Sequence, residues 1–443
     1  MRPDDTIFAL ASAPGKAGVA VLRVSGPAAA DALRRLTGKP LPAPRRAVRR
    51  RLADGADAEP IDEALLLWFP APASFTGEDV AEFHLHGGRA VLAAMLEALG
   101  RVPGCRLAEP GEFTKRAFLN GRLDLTAAEG LADLVAAETE AQRKLALRQL
   151  EGELGRLYED WRVRLLAGLA RLEAAIDFPD EDLPEGLIER SRAEANRLSA
   201  EIARHLDDQG RGERIRDGLS IAIVGPPNSG KSSIFNSIIK REAAIVSATA
   251  GTTRDVIEAH LDLGGYPVVL ADTAGLRLSS DEIESEGVSR ARKRAAAADL
   301  CLAVLDATRP DEIPREIRDL PKDLRILVAN KSDLATGSLK LDSETALPVS
   351  ARTGAGITGL REKMTNFVTE CMAVGSSPVL TRARHREALV ACREALERAE
   401  TANLPELLAE DLRLAVRALG RITGRVGVEE ILDRIFAEFC IGK

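Results

Sequence analysis

Apolar and polar positions divide the chain into four stretches that differ in their periodicity. In residues 1–118, short strand-like runs at 19–24 and 64–69 stand among glycine- and proline-rich turns, with one amphipathic helical repeat near 89–99. Short runs of this kind mixed with one helical repeat indicate an α+β domain. Residues 39–46 include three prolines and are therefore predicted to form a loop.

Helical spacing dominates residues 119–213. Leucines recur there at intervals of three and four residues, as in Leu147, Leu150, Leu154 and Leu157. This spacing is typical of helices with one apolar face, and Pro179 and Pro184 are expected to interrupt the pattern. Residues 376–443 are predicted to be helical as well.

Between these helical stretches, residues 214–375 alternate strand runs with helical segments, which indicates a mostly parallel sheet. Helices on both sides of such a stretch are expected if one helical domain has an α/β domain inserted into it. The predicted organisation is therefore an α+β domain at 1–118, a helical domain formed by 119–213 and 376–443, and an inserted domain at 214–375.

Composition narrows the class of protein without changing this organisation. A chain of 443 residues exceeds the roughly 250–300 residues over which one hydrophobic core grows, so two to four domains are expected. Apolar residues make up 45% and charged residues 29%, which is ordinary for a soluble globular protein, whereas aromatic residues make up only 3%. The cores must therefore be filled by leucine, alanine, valine and isoleucine.

The net charge of −7 argues against a chain that coats nucleic acid non-specifically, although local basic clusters could still bind it. Two such clusters are present. The first comprises Arg45, Arg46, Arg49, Arg50 and Arg51, and the second comprises Arg290, Arg292, Lys293 and Arg294. A solvated surface is the preferred interpretation of both clusters, and a nucleic-acid contact is the alternative.

Five cysteines are scattered along the chain without a C-x-x-C pair, so neither a disulfide framework nor a zinc site is expected. The N-terminus is acidic where a signal peptide would be basic, and no apolar run approaches the roughly 18 residues of a membrane span. These features predict a reducing, cytoplasmic location without a membrane contact.

The candidate chemistry begins where the strand-like run 219–224 leads into the sequence GPPNSGKSS at 225–233. The glycines allow backbone N–H groups to surround a phosphate, and the N-terminus of the following helix favours negative charge. Lys231 neutralises the β- and γ-phosphates, and the hydroxyl of Ser232 can bind Mg²⁺. The strand–loop–helix context predicts a site for a nucleoside triphosphate.

Three further motifs follow in order along the chain. They are Gly251-Thr252-Thr253-Arg254-Asp255, Asp272-Thr273-Ala274-Gly275 and Asn330-Lys331-Ser332-Asp333. A threonine of the first motif can complete the Mg²⁺ ligands, and Asp272 can hold the metal through water. The N–H of Gly275 can sense the γ-phosphate.

The third of these motifs identifies the base. Guanine presents two adjacent donors, N1–H and the N2 amino group, which the single carboxylate of Asp333 can accept together. Adenine has an acceptor at N1 and would leave this carboxylate without a partner, which is costly at a buried site. Ser350, Ala351 and Arg352 follow a strand-like run and can place a backbone donor near guanine O6. The motifs together predict a GTPase.

The residues alone leave the orientation of the attacking water open. Leu276 stands where small signalling GTPases place a glutamine, and a leucine cannot orient water. A carboxylate of the acidic segment 279–284 could do so instead, but composition slightly favours an acidic helix N-cap there. Asn228 could bind a monovalent cation against the phosphates, or it could simply cap a turn.

In the forms GPPNSGKSS, GTTRD, DTAGL, NKSD and SART, these motifs resemble those of the tRNA modification GTPase MnmE family, also called TrmE. The resemblance extends almost from end to end, through GVAVLRVSG, SFTGED, PGEFTKRAFLNG and LDLTAAEG to the terminal FCIGK. It implies a multidomain α/β and α+β fold. A Ras-like P-loop G domain is inserted in a helical domain, preceded by an α+β tetrahydrofolate-binding domain that makes a homodimer.

The resemblance also implies an activity. Family members hydrolyse GTP in a potassium-dependent manner and act with MnmG (GidA), a FAD-dependent flavoprotein. Together they modify C5 of the wobble uridine, position 34, of certain tRNAs with a one-carbon unit from 5-formyl- or methylene-tetrahydrofolate. Mg²⁺, K⁺ and a folate are therefore the implied cofactors, and GTP is the substrate that is hydrolysed.

Site residues follow by position in the matching motifs. The implied K⁺ ligands are Asn228, Ser247, Thr249 and Thr252, and the implied Mg²⁺ ligands are Ser232 and Thr253. The implied GTP contacts are Asn228, Ser229, Gly230, Lys231, Ser232, Ser233, Ser247, Ala248, Thr249, Ala250, Gly251, Thr252, Thr253, Asp272, Thr273, Ala274, Gly275, Asn330, Lys331, Asp333, Ser350, Ala351 and Arg352.

The resemblance assigns catalysis and folate binding as well. Glu284 would orient the attacking water, against the preference from composition, and Lys231 would act beside it. Cys440 would take part in the chemistry, or else be a small apolar residue at a helix end. The folate would be held by four residues: Arg23, Glu82, Arg122 and Lys443.

Two other classes of protein remain as alternatives to this enzyme. One is an RNA-associated assembly GTPase, which would need an RNA-binding module that the sequence after the G domain does not display. The other is a pure protein switch, in which nucleotide state moves a helical scaffold. The terminal CIGK and the N-terminal folate-like motifs argue against both.

Overall fold

The protein is described by a computed structural model. It covers residues 5–55, 59–178, 184, 186–241, 257–272, 298–310, 313–335, 337–341, 343–373, 378–427, 432, 435–437, 439 and 442. The chain forms two compact units, of which unit 1 comprises Met1–Ala132, Gln149–Ala195 and Ala395–Lys443, and unit 2 comprises Asp133–Arg148 and Asn196–Glu394. Compact units need not coincide with domains, so the predicted domain boundaries stay predictions.

The described part of the chain contains helices of 4 to 25 residues. They are α1 (Ala29–Thr37), α2 (Arg89–Gly100), α3 (Glu112–Leu119), α4 (Leu125–Ala136), α5 (Glu140–Leu150), α6 (Glu153–Asp177), α7 (Leu187–Leu206), α8 (Arg211–Asp217), α9 (Lys231–Arg241), α10 (Arg315–Arg318), α11 (Ile357–Met372), α12 (Ala383–Thr401) and α13 (Pro405–Thr423), with 3₁₀ turns at Lys322–Leu324 and Ser332–Leu334. None of the helices in the described ranges is both long and apolar enough to cross a membrane.

Unit 1 contains a six-stranded sheet in the order β3-β4-β5-β2-β1-β6. Its strands are β1 (Thr6–Leu10), β2 (Ala17–Ser25), β3 (Val48–Ala53), β4 (Pro60–Phe69), β5 (Val80–Gly87) and β6 (Cys105–Leu107). All neighbours are antiparallel except β1 and β6. The predicted strands at 19–24 and 64–69 and the predicted helix at 89–99 are confirmed as parts of β2, β4 and α2.

Alternation along the strands decides which face of this sheet is covered. Leu22 and Phe83 point to one face, where they pack with Leu33 of α1 and Met95 of α2. Because successive strand residues point to opposite faces, Arg23 and its neighbours on β5 lie on the other face. That second face carries Arg23 and Glu82, two of the four candidate folate residues.

The predicted run of leucine spacing from 147 to 157 is not one helix. Helix α5 ends at Leu150 and α6 begins at Glu153, with Gly152 between them at φ +83°. Glycine adopts that backbone conformation more easily than other residues, so the leucine pattern belongs to two helices that are separated at Gly152. Periodicity indicates the helix content here, but it does not reveal the glycine joint.

A buried ion cluster fastens α3 to the beginning of β1. Arg116, which is 3% exposed, donates to Asp5 Oδ1 at 2.7 Å and to Glu112 Oε1 at 3.1 Å. Arg106 donates to the same two carboxylates at 2.6 Å. Burial alone would raise the pKa of Asp5 and Glu112, but the hydrogen bonds from these arginines hold both pKa values below the ordinary range.

Helix α3 is also hydrogen-bonded to the loop at residues 70–79. Arg116 donates to Glu78 Oε1 at 3.2 Å, and Glu78 Oε2 accepts a hydrogen bond from Ser25 Oγ at 2.7 Å. Directly after α3, the side-chain amide of Asn120 donates to the carbonyl of Thr76 at 2.7 Å. The motifs PGEFTKRAFLNG and SFTGED therefore meet in one hydrogen-bonded network.

Unit 2 contains a second six-stranded sheet in the order β14-β11-β10-β7-β9-β8. The strands of unit 2 are β7 (Leu219–Val224), β8 (Ile257–Leu263), β9 (Tyr266–Asp272), β10 (Leu300–Asp306), β11 (Arg325–Asn330), β12 (Lys340–Leu341), β13 (Glu344–Thr345) and β14 (Leu347–Pro348), with β12 and β13 forming a separate pair. Every neighbouring pair of the large sheet is parallel except β8 and β9, which confirms the predicted mostly parallel sheet.

Both faces of this sheet are covered. On β10, Leu302 and Val304 face a core that includes α9 and α11, whereas Ala303 and Leu305 face a second core with Ile317 of α10. A strand buried on both sides reads as an uninterrupted apolar run, which is what the sequence LCLAVL displays. Because the parallel strands share one direction, their carboxyl ends meet at one edge of the sheet, where ligands of such folds bind.

We expect Arg116→Met to lower the free energy of unfolding of unit 1 by about 3–5 kcal/mol, because the change leaves buried carboxylates without their counterion. The test is urea unfolding followed by the fluorescence of Trp68 in a Trp161→Phe background, since the chain has two tryptophans. Arg34→Met is the matched control, because its partner Asp31 is 71% exposed and the pair contributes at most about 1 kcal/mol. Equal losses in the two variants would contradict a special role for the buried cluster.

The cluster also predicts a pH dependence. The lowered pKa values of Asp5 and Glu112 stabilise the folded state at pH values above their ordinary pKa, and this stabilisation is lost as the pH falls through the folded-state pKa values. The urea midpoint of the wild-type chain should therefore fall as pH is lowered below about 5. Arg116→Met should show a flatter profile over the same range, and a profile parallel to wild type would remove the cluster as its cause.

Candidate functional site

The loop after β7 has the geometry of a phosphate cradle. An added Cβ at Gly225 would lie 2.2 Å from the carbonyl oxygen of Val304, and one at Gly230 would lie 2.2 Å from Asn330 Nδ2. Neither position has room for a side chain, so both glycines are required. Helix α9 begins at Lys231, directly after the loop, so its N-terminal N–H groups adjoin the cradle.

Lys231 is held at this loop by backbone oxygens. Its Nζ donates to the carbonyls of Gly225 and Pro226, each at 2.9 Å. Burial lowers the pKa of Lys231, and the charge of Asp272 opposes that shift. The half-buried ammonium can exchange these neutral carbonyl acceptors for a phosphate, because hydrogen bonds to a negatively charged acceptor are stronger.

A hydroxyl and a carboxylate meet where Mg²⁺ is predicted. Ser232 Oγ donates to Asp272 Oδ2 at 2.7 Å, and Asp272 is 2% exposed at the carboxyl end of β9. Oxygen donors of this kind are the ligands that Mg²⁺ prefers, so the pair fits the predicted metal. Thr253, the other predicted Mg²⁺ ligand, lies outside the described residues.

Asn330 joins three segments of the predicted nucleotide site. Its Nδ2 donates to the carbonyl of Ser229 at 2.8 Å, and its Oδ1 accepts the N–H of Ala351 at 3.1 Å. The side chain is 3% exposed. The asparagine of the NKSD motif therefore fixes the phosphate loop and the SAR segment to each other, which is a structural role beside any contact with the base.

The side chain of Asp333 is held as a carboxylate by two neighbouring donors. Ser350 Oγ donates to its Oδ1 at 2.7 Å, and the Arg352 guanidinium pairs with its Oδ2. The hydrogen bond from Ser350, followed by the one from Arg352, holds the pKa of Asp333 below its ordinary value. The predicted base-recognition group is thus ionised at neutral pH, in the form that accepts two donors.

Asp306 contacts a predicted site residue, and the sequence motifs do not include it. It ends β10, and its Oδ2 accepts the ammonium of Lys331 at 2.6 Å, while Lys331 itself has φ +62°. Burial opposes ionisation of Asp306, but the hydrogen bonds from Lys331 and Thr308 lower its pKa to about 2. The signal in the sequence is an acidic residue at the end of an apolar strand run, one strand ahead of NKSD.

Several predicted site residues fall outside the part of the chain that the structure describes. They are Ser247, Ala248, Thr249, Ala250, Gly251, Thr252, Thr253, Thr273, Ala274, Gly275, Leu276, Glu284, Cys440 and Lys443. Ser233 is described and is exposed in the first turn of α9. The roles predicted for the residues outside the described ranges stay predictions.

Arg23 and Glu82 are brought together on unit 1. They are directly opposite each other on β2 and β5, and both Nε and Nη2 of Arg23 donate to Glu82 Oε1, at 3.0 and 2.9 Å. The rings of Phe75 and Phe113 lie 5.2 and 5.8 Å from the guanidinium carbon. This cation–π contact holds the arginine in place, and His84 Nε2 lies 3.4 Å from Glu82 Oε2.

Arg122 lies beside the loop at 70–79. An added Cβ at Gly77 would be 3.3 Å from Arg122 Cγ, so the arginine stem passes over that glycine, and its side chain is exposed. Near the other end of the chain, an added Cβ at Gly442 would lie 2.0 Å from the carbonyl oxygen of Leu10, so Gly442 is seated at the end of β1. Ala9, which precedes Leu10 on β1, is paired with Arg23.

Two family models match the chain. The model described as "MnmE helical domain" matches residues 125–440, and the one described as "GTP-binding protein TrmE N-terminus" matches residues 6–122. The first of these spans more than half of the chain.

Curated relatives match over nearly the whole length. The tRNA modification GTPase MnmE of Paramagnetospirillum magneticum is 58% identical over 441 residues, covering 99% of this chain and 100% of the relative. The protein of the same name from Rhodospirillum rubrum is 56% identical over 453 residues, covering 99% of each. The mitochondrial 5-taurinomethyluridine-[tRNA] synthase subunit GTPB3 of Danio rerio is 49% identical over 472 residues, covering 99% of this chain and 93% of the relative.

Among solved structures, the chain is similar to the FeoB G-domain from Methanococcus jannaschii, with 23% identity and a TM-score of 0.25. That match covers 34% of this chain and 98% of the other. A TM-score this low does not by itself relate the two folds.

We expect Asp333→Asn to lower the affinity for GTP by about 100-fold or more, because the amide offers a donor where guanine also offers one. Xanthosine triphosphate carries a carbonyl at that position and should bind the variant better than the wild type. Fluorescence titration with labelled nucleotides measures both affinities. Asp323→Asn, at an exposed carboxylate of the same unit, is the matched control. A variant that binds GTP as tightly as the control would remove Asp333 from base recognition.

Proposed function

The chain belongs to the MnmE family of tRNA modification GTPases, and we propose that it hydrolyses GTP and, with the flavoprotein MnmG, modifies C5 of the wobble uridine of certain tRNAs. The observation that carries the GTPase part is the meeting of three groups at one sheet edge: Lys231 of the phosphate loop, Asp272 beside Ser232, and the ionised Asp333. Together these groups supply a cation for the phosphates, ligands for Mg²⁺ and an acceptor for guanine.

Hydrolysis depends on stabilising charge that builds on the phosphate oxygens. Lys231 and the N-terminus of α9 act on the β- and γ-phosphates, and Ser232 with Thr253 would hold Mg²⁺, while Asp272 fixes its water. When bound, Mg²⁺ neutralises negative charge between those phosphates. Asp272 already accepts a hydrogen bond from Ser232, so the two protein groups are positioned relative to each other by the fold.

The attacking water requires a group other than residue 276, which is a leucine. Glu284 fills this role in the proposal, because a carboxylate can accept the water's hydrogen bond and turn its lone pair toward the γ-phosphate. A monovalent cation held by Asn228, Ser247, Thr249 and Thr252 would supply the positive charge that an arginine finger brings in other GTPases. Asn228 stands at φ +60° in the phosphate loop, a conformation that asparagine tolerates better than most residues.

Unit 1 would bind the one-carbon donor. Glu82 keeps Oε2 on the open face of the sheet, and that oxygen can accept from the amino and ring N–H groups of a pterin. Arg23, held between Phe75 and Phe113, fixes the orientation of this carboxylate through Oε1. Arg122 and Lys443 would hold the glutamate carboxylates of a 5-formyl- or methylene-tetrahydrofolate. Two copies of the chain would pair through this N-terminal domain.

The decisive experiment is mass spectrometry of tRNA nucleosides from cells that lack this chain, with and without its return on a plasmid. Loss of the C5-aminomethyl-type wobble uridines, and their recovery with the plasmid, is the expected result. An unchanged nucleoside profile would reject the modification part of the proposal. GTP hydrolysis by the purified chain would then favour an assembly GTPase or a protein switch instead.

Replacing K⁺ by Na⁺ is expected to slow GTP turnover by about 100-fold while the affinity for GTP stays unchanged, because the cation acts on charge that develops in the transition state. Asn228→Gly should turn over slowly in both salts, since glycine keeps the φ of +60° and removes only the side-chain oxygen. Single-turnover assays with matched ionic strength measure both effects. Equal rates in the two salts for the wild-type chain would sink the cation site.

A further inference from the structure

The first basic cluster divides into two groups once its contacts are known. Arg45 lies 5.5 Å from the ring of Phe69 and donates to the carbonyl of Ala73, so it holds the loop at 70–79. Arg50 points to the helix-covered side of the sheet and donates to the carbonyl of Pro40 at 2.6 Å. These two arginines have structural contacts, and the other three members of the cluster need a different explanation.

Arg49 and Arg51 point to the open face of the sheet. On β3 the buried Leu52 faces the covered core, so the alternate residues Arg49 and Arg51 face the other way, and both are exposed. Arg46 is exposed just before the strand. Within the described ranges, the side chains of Arg46 and Arg51 have no hydrogen-bond or ion-pair partner, although their backbones are hydrogen-bonded.

The open face also carries Arg23 and Glu82, two of the candidate folate residues. Arg49 is opposite Leu65 of β4, and Leu65 is opposite His84 of β5, whose Nε2 is 3.4 Å from Glu82 Oε2. Neighbouring strands lie about 4.8 Å apart, so the two strand steps from Arg49 to His84 span roughly 10 Å. Arg46, Arg49 and Arg51 form what we call the arginine edge. This edge and the Arg23–Glu82 pair therefore share one surface, at a distance that a single nucleotide can bridge.

The charge on this edge is mainly positive. Glu63 is the carboxylate that pairs with an arginine of the edge, at 3.2 Å from Arg49 Nε, and both side chains are largely exposed, at 56% and 74%. Asp62 is engaged with His86 at 2.7 Å, and Glu59 is exposed beside the start of β4. An exposed pair such as Arg49–Glu63 contributes little and exchanges easily for a phosphate.

We propose that Arg46, Arg49 and Arg51 bind the sugar-phosphate backbone of the substrate tRNA and so bring its anticodon loop to the Arg23–Glu82 pair. This inference rests on the proposed tRNA modification. Arginine binds phosphate in a two-pronged geometry, and single-stranded loops can turn a base away from the backbone toward a protein surface. The exposed Leu65 between the arginines and Glu82 offers an apolar patch for such a base.

The arrangement favours RNA over the glutamate tail of a folate as the ligand of this edge. The arginines follow the outer strand of the sheet, whereas Arg122 lies by Gly77, at the loop next to Arg23. A phosphate backbone that runs along β3 can contact alternate residues of an extended strand in succession. A folate tail that starts at Glu82 would have to cross β4 before it reached any of them.

The test compares Arg46→Gln/Arg49→Gln/Arg51→Gln with Arg50→Gln in the full-length chain. Fluorescence anisotropy with an unmodified tRNA transcript gives the dissociation constant at several salt concentrations. Each lost phosphate contact reduces the slope of log K against log [salt] by about 0.7–0.9, so the triple variant should lose about 2–3 from the slope. Arg50→Gln, which changes the same strand on its other face, should keep the wild-type slope.

The outcomes separate this inference from the proposed function. If the wild-type chain binds no tRNA, alone or with MnmG, the proposed function fails and the inference falls with it. If the wild-type chain binds tRNA and the triple variant keeps its slope, the inference alone is overturned.

Two further results would also overturn the inference alone. One is a changed sedimentation coefficient of the triple variant, which would make the edge a contact between copies of the chain. The other is a loss of affinity only for a polyglutamated folate, which would make the edge part of the folate site. Unchanged GTP turnover and an unchanged Trp68 unfolding midpoint show that the variant is folded.

Discussion

The buried amide of Asn330 is the interaction on which the arrangement of the predicted nucleotide site depends. One side chain donates to the phosphate loop at Ser229 and accepts from the base-side loop at Ala351, so two segments distant in sequence are fixed relative to each other. Gly230 has to lack a side chain because the amide occupies that space. An aspartate would lose the donor and a leucine would lose both bonds, leaving buried backbone groups unpaired. The asparagine of the NKSD motif therefore has a structural role as well as its predicted role at the base.

In unit 1, helix α3 likewise connects segments that are distant in sequence. Glu112 and Arg116 lie four residues apart on one face of the helix, from which Arg116 reaches Asp5 at the beginning of β1. Asn120, directly after the helix, reaches the loop at 70–79. Phe113 of the same helix then contacts Arg23, which orients Glu82. The buried ion cluster and the Arg23–Glu82 pair are thus both in contact with α3, and the cost of burying the ions is offset by their mutual hydrogen bonds.

Local patterns predicted most of the fold, and long-range pairing supplied what they could not. The strand before the phosphate loop is visible because a two-sided buried strand is continuously apolar, and the loop is visible because its glycines are fixed by space. The contact of Arg23 with Glu82 depends on the register of β2 against β5, across 59 positions of sequence, which periodicity does not contain. Local patterns also do not predict which arginines of the first basic cluster face the core, because a run of like charges does not show the direction of each side chain. The leucine spacing continues across Gly152, so the periodicity does not show that one helix ends and another begins there.

Arg352 gives the base pocket a built-in competitor. Its guanidinium pairs with one oxygen of Asp333, and a guanine bound as the NKSD motif predicts would use both oxygens, so the base would have to displace the arginine. Guanine would replace the lost charge-assisted bond with two of its own, whereas adenine would replace it with none. An ion pair that only the correct base can replace would therefore act as a barrier against the other base, in addition to the contacts that the correct base makes.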